Sequence, residues 1–201
     1  MNSKYLFEKY VYLSRWISYW YQVKEVLTLR PRNCLVIGVG DAVVVDVLKK
    51  YIDEVKTLDI DEKLNPDFIA SVEKMPLPEE SFNVILCAEV LEHLPFEKFE
   101  NSLNELRRVS KKYVALSLPH FGPPIKLSFK VPLFKEAKKA LRIPFPIKHE
   151  FNGEHYWEIG KRGYPLSKIK SIIQKYFKIK KDFVPFENQY HHFFLLEKRP
   201  S

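Results

Sequence analysis

Short, continuous apolar runs recur along this chain and are separated by segments with a helical repeat. The runs 34–37, 82–87 and 113–118 read as strands, 82–87 as one buried on both faces, with short strands at 55–58 and at Phe68 to Ala70 between the first two. Val43, Val44, Val47, Leu48 and Tyr51 give residues 42–51 one apolar side and predict a helix. Phe99, Leu103, Leu106 and Val109 predict a second helix, and Leu166, Ile169, Ile172, Ile173 and Tyr176 a third, over 166–177. Upstream, Tyr5, Tyr12, Trp16, Tyr19, Trp20 and Val23 can line one or two aromatic helices that Pro31 closes. Two strands, near 178–185 and 189–198, end the chain around the short turn Phe186-Glu187-Asn188 and predict an antiparallel hairpin.

Strands that alternate with helices imply an α/β fold, a mostly parallel sheet with helices on both faces. Such a sheet binds ligands beyond the carboxyl ends of its strands. At those ends stand Gly38-Val39-Gly40-Asp41, Asp59, Ser71, Cys87-Ala88-Glu89 and Pro119-His120. Between 121 and 163 the alternation stops. The segment holds Pro123, Pro124, Pro132, Pro144 and Pro146, with Lys126, Lys130, Lys135, Lys138, Lys139, Arg142 and Lys148. An irregular insertion of this length suits a binding or lid role. The expected organisation is one domain over 1–201. Its parts are aromatic helices (1–30), a ligand-binding half (31–120), the insertion (121–163), and a C-terminal helix and hairpin (164–201).

The turn at 38–41 has a physical logic. Glycines let a ligand approach the backbone, the following helix offers N–H groups, and an acid at the next strand end can hold a ribose. Asp59 lies 19 residues after Gly40, near the expected spacing. A dinucleotide fingerprint wants a third glycine where Val43 stands, so the turn alone leaves a ligand site and a plain βα turn equally open.

Composition narrows the setting. Cys34 and Cys87 both fall in apolar runs and read as core residues of a reducing compartment. The net charge of +8, from 33 Lys and Arg against 25 Asp and Glu, favours acidic partners or simply a solvated surface. No run has the length of a membrane span, and the first residues lack a signal peptide's apolar core, so the expected location is cytoplasmic. No His, Cys or acidic residues show metal-ligand spacing along the chain, so no metal is expected.

The stretch KMPLPEESFNVILCAEVLEHL, 74–94, carries a more specific signal. With the glycine turn and Asp59, it resembles the class I S-adenosylmethionine-dependent methyltransferases with a small-molecule-type methyltransferase domain. The resemblance covers 33–118 by motif and the closing hairpin by topology. It implies a Rossmann-like seven-stranded, mostly parallel sheet whose last strand is antiparallel. It also implies S-adenosyl-L-methionine as cofactor. Gly38, Val39, Gly40 and Asp41 would then lie under the methionine part, Asp59 on the ribose, and Ile60 on the adenine. Ser71 and Val72 would meet the adenine edge, while Cys87, Ala88 and Glu89 would line the floor. Two positions depart from the family pattern: Val36 stands where an acid is usual, and Ser71 where Asp is usual. Asp41 is a candidate replacement for the missing acid.

Methyl transfer needs in-line positioning and a base where the acceptor carries a proton. His120, Glu154, His155 and Tyr156 are the candidates for these roles. The expected acceptor is a small molecule or a glycan or lipid precursor. The alternatives are RNA, suggested by the basic insertion, and a non-catalytic binding protein, suggested by Val36 and Ser71.

Overall fold

The structure, a computed structural model, describes Tyr10 and residues 12–199; Tyr5 and most of the first ten residues lie outside it. The first helix among the described residues, α1 (Leu13–Thr28), buries Ser18, Tyr19, Gln22, Glu25 and Val26, while Trp16 and Trp20 stay exposed. Strand β1 (Asn33–Ile37) follows, then α2 (Val43–Leu48), β2 (Glu54–Asp59), β3 (Phe68–Ile69) and β4 (Phe82–Ala88). Helix α2 spans six residues rather than the ten of 42–51. Ala42 is left-handed at φ +65°, and three successive valines propagate a helix poorly. Its side of the sheet is held by packing more than by helix length.

After β4 come a 3-10 turn (Leu91–His93), α3 (Phe99–Val109) and β5 (Ser110–Pro119). Arg108 of α3 donates to the carbonyls of Met75 and Leu77, at 3.0 and 2.7 Å, and to Glu105. Glu105 in turn accepts from the Met75 N–H, so the polar loop that carries Ser71 and Val72 is fastened to a helix. The insertion folds into an antiparallel hairpin of its own, β6 (Pro124–Phe129) with β7 (Ala137–Arg142), which the sequence pattern does not announce. Helix α4 (Leu166–Tyr176), β8 (Phe177–Phe183) and β9 (His191–Lys198) complete the chain.

The main sheet has seven strands in the order β3-β2-β1-β4-β5-β9-β8. β9 is antiparallel to both of its neighbours, and the other pairs are parallel. This is the expected Rossmann-like sheet, with its single reversed strand. The period-2 alternation of β1 sends Leu35 and Ile37 to one face and Cys34 and Val36 to the other. On the first face they meet Leu103 and Leu106 of α3 and Ile169 and Ile173 of α4. On the second they meet Tyr19 and Val26 of α1 and Val44, Val45 and Leu48 of α2. Strand order reverses between β1 and β4, which opens a crevice above their carboxyl ends.

Candidate active site

The crevice is floored by the β1–α2 turn. Gly38 has φ +82°, and a Cβ there would come within 2.7 Å of Val90 Cγ2. Only glycine keeps this turn open beside the segment after β4. Asp59, at the end of β2, accepts from the Val39 N–H at 2.7 Å and from the Asp61 N–H at 2.9 Å. One carboxylate therefore ties the glycine turn to the neighbouring strand end. A carboxylate offers about four lone-pair sites, so acceptor capacity remains for a ligand. Asp41 accepts from Val43 N–H and from the Tyr19 hydroxyl, the latter at 2.7 Å, which docks α1 onto the same turn.

The segment after β4 forms the next wall. Glu89 sits at φ +53°, a strained position for a non-glycine residue. Its carboxylate accepts from Ser117 Oγ at 2.7 Å and lies 3.5 Å from His191 Nε2. Burial lifts the Glu89 carboxyl to about 7, against the opposing effect of the Ser117 hydrogen bond and of His155. His191 is held from behind by Ser18, which itself accepts from Asn188 at 3.0 Å. Desolvation pushes the His191 imidazole down to about 3, so it is neutral at physiological pH. Ser18, Gln22 and Glu25 make a polar stripe on the buried side of α1; this spacing is the signal that could have pointed to α1 as a site wall.

The outer wall comes from the insertion. Trp157 is fully buried against Phe96, Phe99 and Tyr164, and its Nε1–H donates to the Leu94 carbonyl at 3.2 Å. Tyr156 N–H donates to the Glu92 carbonyl at 2.8 Å. These anchors place Glu154, His155 and Tyr156 against the segment after β4. Burial works against the charge of Glu158, but hydrogen bonds from His155 and Tyr190 hold its carboxyl below the usual range.

Together these walls enclose a cavity of about 800 Å³. It is lined by Gly38 to Asp41, Asp59, Ile60, Ser71, Val72, Ala88 and Glu89, and by Glu154, His155 and Tyr156. The candidates therefore converge, with two exceptions. Cys87 alternates to the opposite side of β4 and is buried in the core, with its thiol pushed up by burial. His120 does not line the cavity. It packs on His192, Nδ1 to Nδ1 at 3.0 Å, and burial lowers its pKa to about 3, which makes it a poor base at neutral pH. Sequence reasoning missed Arg15, Tyr19 and Gln22 of α1, and Tyr190 and His191, all of which line the cavity.

A family model described as a methyltransferase domain matches residues 33–117, the segment that builds the glycine turn, Asp59 and the wall after β4. Residues 33–117 therefore resemble a methyltransferase domain, and solved S-adenosylmethionine-dependent methyltransferases share the fold. Solved methyltransferases of this fold resemble the chain over nearly their whole length. The N-methyltransferase NodS of Bradyrhizobium japonicum, in complex with S-adenosylhomocysteine, superposes with a TM-score of 0.66 at 8% identity, over 99% of this chain and 94% of NodS. Magnesium protoporphyrin IX methyltransferase of Synechocystis, with bound S-adenosylmethionine, gives 0.59 at 14% identity, over 92% and 80%. The 1,6-didemethyltoxoflavin-N1-methyltransferase of Burkholderia thailandensis gives 0.57 at 12% identity, over 93% and 87%. At these identities the likeness shows a shared fold, and any function must be argued from the chain's own residues. No curated protein matches the chain by sequence.

Proposed function

We propose that this protein moves the methyl group of S-adenosylmethionine to a small-molecule acceptor held in the outer part of the same cavity. One observation carries this reading: a single cavity runs from the glycine turn and Asp59 to the wall of Glu154, His155 and Tyr156. The residues present fit the cofactor. The turn at Gly38 has no room for a Cβ beside Val90, and Asp59 retains acceptor capacity at the adjoining strand end.

In this reading Gly38, Val39 and Gly40 lie under the methionine part, and Asp59 takes the ribose hydroxyls. Ile60 covers the adenine, Ser71 and Val72 meet its edge, and Ala88 and Glu89 complete the floor. Asp41 partly replaces the acid that Val36 does not supply, from a position fixed by Tyr19. Bound there, the cofactor supplies an electrophilic methyl on a sulfonium. The protein aligns the acceptor for in-line attack and takes up its proton. Glu89, His155 and Glu154 are the groups placed to do so, and a carboxyl near 7 such as Glu89 suits a general base.

A second reading, an amphiphilic lipid-linked acceptor, is favoured by the β6–β7 hairpin. Leu127, Phe129, Leu133 and Phe134 are exposed there beside Lys126, Lys130, Lys135 and Lys138. Apolar and basic groups interleaved in this way suit an anionic membrane face. No helix among the described residues is long and apolar enough to cross a membrane. The test is transfer of isotope-labelled methyl to three acceptor pools: water-soluble metabolites, lipid extracts in anionic vesicles, and RNA. Label in the first pool supports the primary reading and label in the second the lipid-linked one. Label in RNA alone overturns both.

A further inference from the structure

The cavity wall holds a feature that cofactor binding does not use. Glu92 is 0% exposed, and both of its carboxylate oxygens lack a hydrogen-bond partner among the described residues. An ionisable group in that position is costly unless something pairs with it. Two imidazoles flank it: the ligand atoms of Glu92, His93 and His155 all lie within 4.8 Å of one another. Two ligands at ordinary bond lengths on one tetrahedral ion are about 3.4 Å apart, so only a small inward movement separates this arrangement from a chelating one.

The histidines are oriented as metal ligands are. His93 Nδ1 is 2.9 Å from the Glu154 carbonyl oxygen, and His155 Nδ1 is 3.0 Å from Glu158 Oε1. Both partners accept, so each ring donates through Nδ1, and Nε2 is its second nitrogen. A ligating histidine that gives its other N–H to a carbonyl or carboxylate is the usual outer-sphere arrangement of a metal centre. Glu89 and Glu158 add negative charge close by, since both act on the Glu92 carboxyl. The chain folds back over 62 residues to bring His155 to the Glu92-His93 pair, which is why linear spacing gave no hint of a metal.

We propose that Glu92, His93 and His155 form a site for one divalent cation of the Zn²⁺ or Mn²⁺ class. Two imidazoles and a carboxylate suit such ions better than Mg²⁺ or Ca²⁺, which prefer oxygen ligands. His93 and His155 line the cavity, so the ion borders the acceptor space. A cation there lowers the pKa of a hydroxyl that coordinates it. Resting on the methyltransferase reading, the site therefore points to a hydroxyl-bearing acceptor.

Chelator-treated protein is titrated calorimetrically with ZnCl₂ and MnCl₂, with MgCl₂ as the comparison ion, and retained metal is measured after gel filtration. Wild type binds one equivalent of Zn²⁺ or Mn²⁺ saturably. Glu92→Gln, which keeps the shape of the side chain, and His155→Ala each weaken binding about tenfold or more. Glu92→Gln keeps the wild-type affinity for S-adenosylhomocysteine. At one fixed concentration, Zn²⁺ raises the melting temperature of wild type more than that of Glu92→Gln. Absence of saturable binding, or wild-type metal affinity in both variants, overturns the site. Metal binding that depends on Glu92 and His155 in a protein that binds no S-adenosylhomocysteine upholds the cation site and overturns the cofactor reading instead.

Discussion

Trp157→Ala lowers the free energy of unfolding by about 3–5 kcal/mol, the range for deleting a large buried aromatic. The side chain is fully enclosed, with ring centroids 5.0 Å from both Phe96 and Phe99 and 6.0 Å from Tyr164. Truncation leaves a cavity between α3 and the segment after β4, and it strips the Leu94 carbonyl of the Nε1–H donor. The effect reaches the site, because His155 and Tyr156 precede Trp157 directly. Urea denaturation followed by circular dichroism measures the loss, and Trp157→Phe recovers a large part of it. A change below about 1 kcal/mol would show that the insertion is not anchored through this residue.

Asp59→Ala weakens binding of S-adenosylhomocysteine by about ten- to a hundredfold, as expected when charge-assisted hydrogen bonds worth about 1.5–3 kcal/mol are removed. Two effects combine. The ribose loses its acceptor, and the Val39 and Asp61 N–H groups lose the carboxylate that fixes the glycine turn. Asp59→Asn separates them, since an amide oxygen can still accept from one N–H while the charge is gone. Its affinity falls between those of wild type and Asp59→Ala. Unchanged affinity in Asp59→Ala excludes the ribose role.

The centre of the parallel half was legible because β1, β4 and β5 are largely apolar runs, and β2 because it ends on Asp59 at the spacing a βαβ unit requires. The reversed last strand followed from the short turn at Phe186-Glu187-Asn188. Helix α2 was read too long because Tyr51 extends the apolar period, whereas the left-handed Ala42 and the valine run limit the helix itself. The β6–β7 hairpin was hidden for a different reason. All six residues of β6 are exposed, so no buried face imprints a period-2 pattern on its sequence.

That the glycine turn and Asp59 border one cavity could be read because their placement depends on local spacing. Cys87 and His120 were misplaced because motif position gives the strand end but not the side on which a side chain emerges. His191 entered the cavity from β9, and His155 reached Glu92 through the insertion. Both contacts are tertiary, and no local pattern encodes them.

The central claim is that the crevice above β1 and β4 binds a sulfur-containing nucleoside cofactor. Calorimetric titration of the purified protein with S-adenosylmethionine and S-adenosylhomocysteine, beside nicotinamide dinucleotide, tests it most directly. The account predicts saturable binding of one equivalent of each sulfur cofactor and none of the dinucleotide. No heat from either sulfur cofactor at millimolar concentration contradicts it. In that case Val36 and Ser71 would mark a methyltransferase fold that has lost its cofactor.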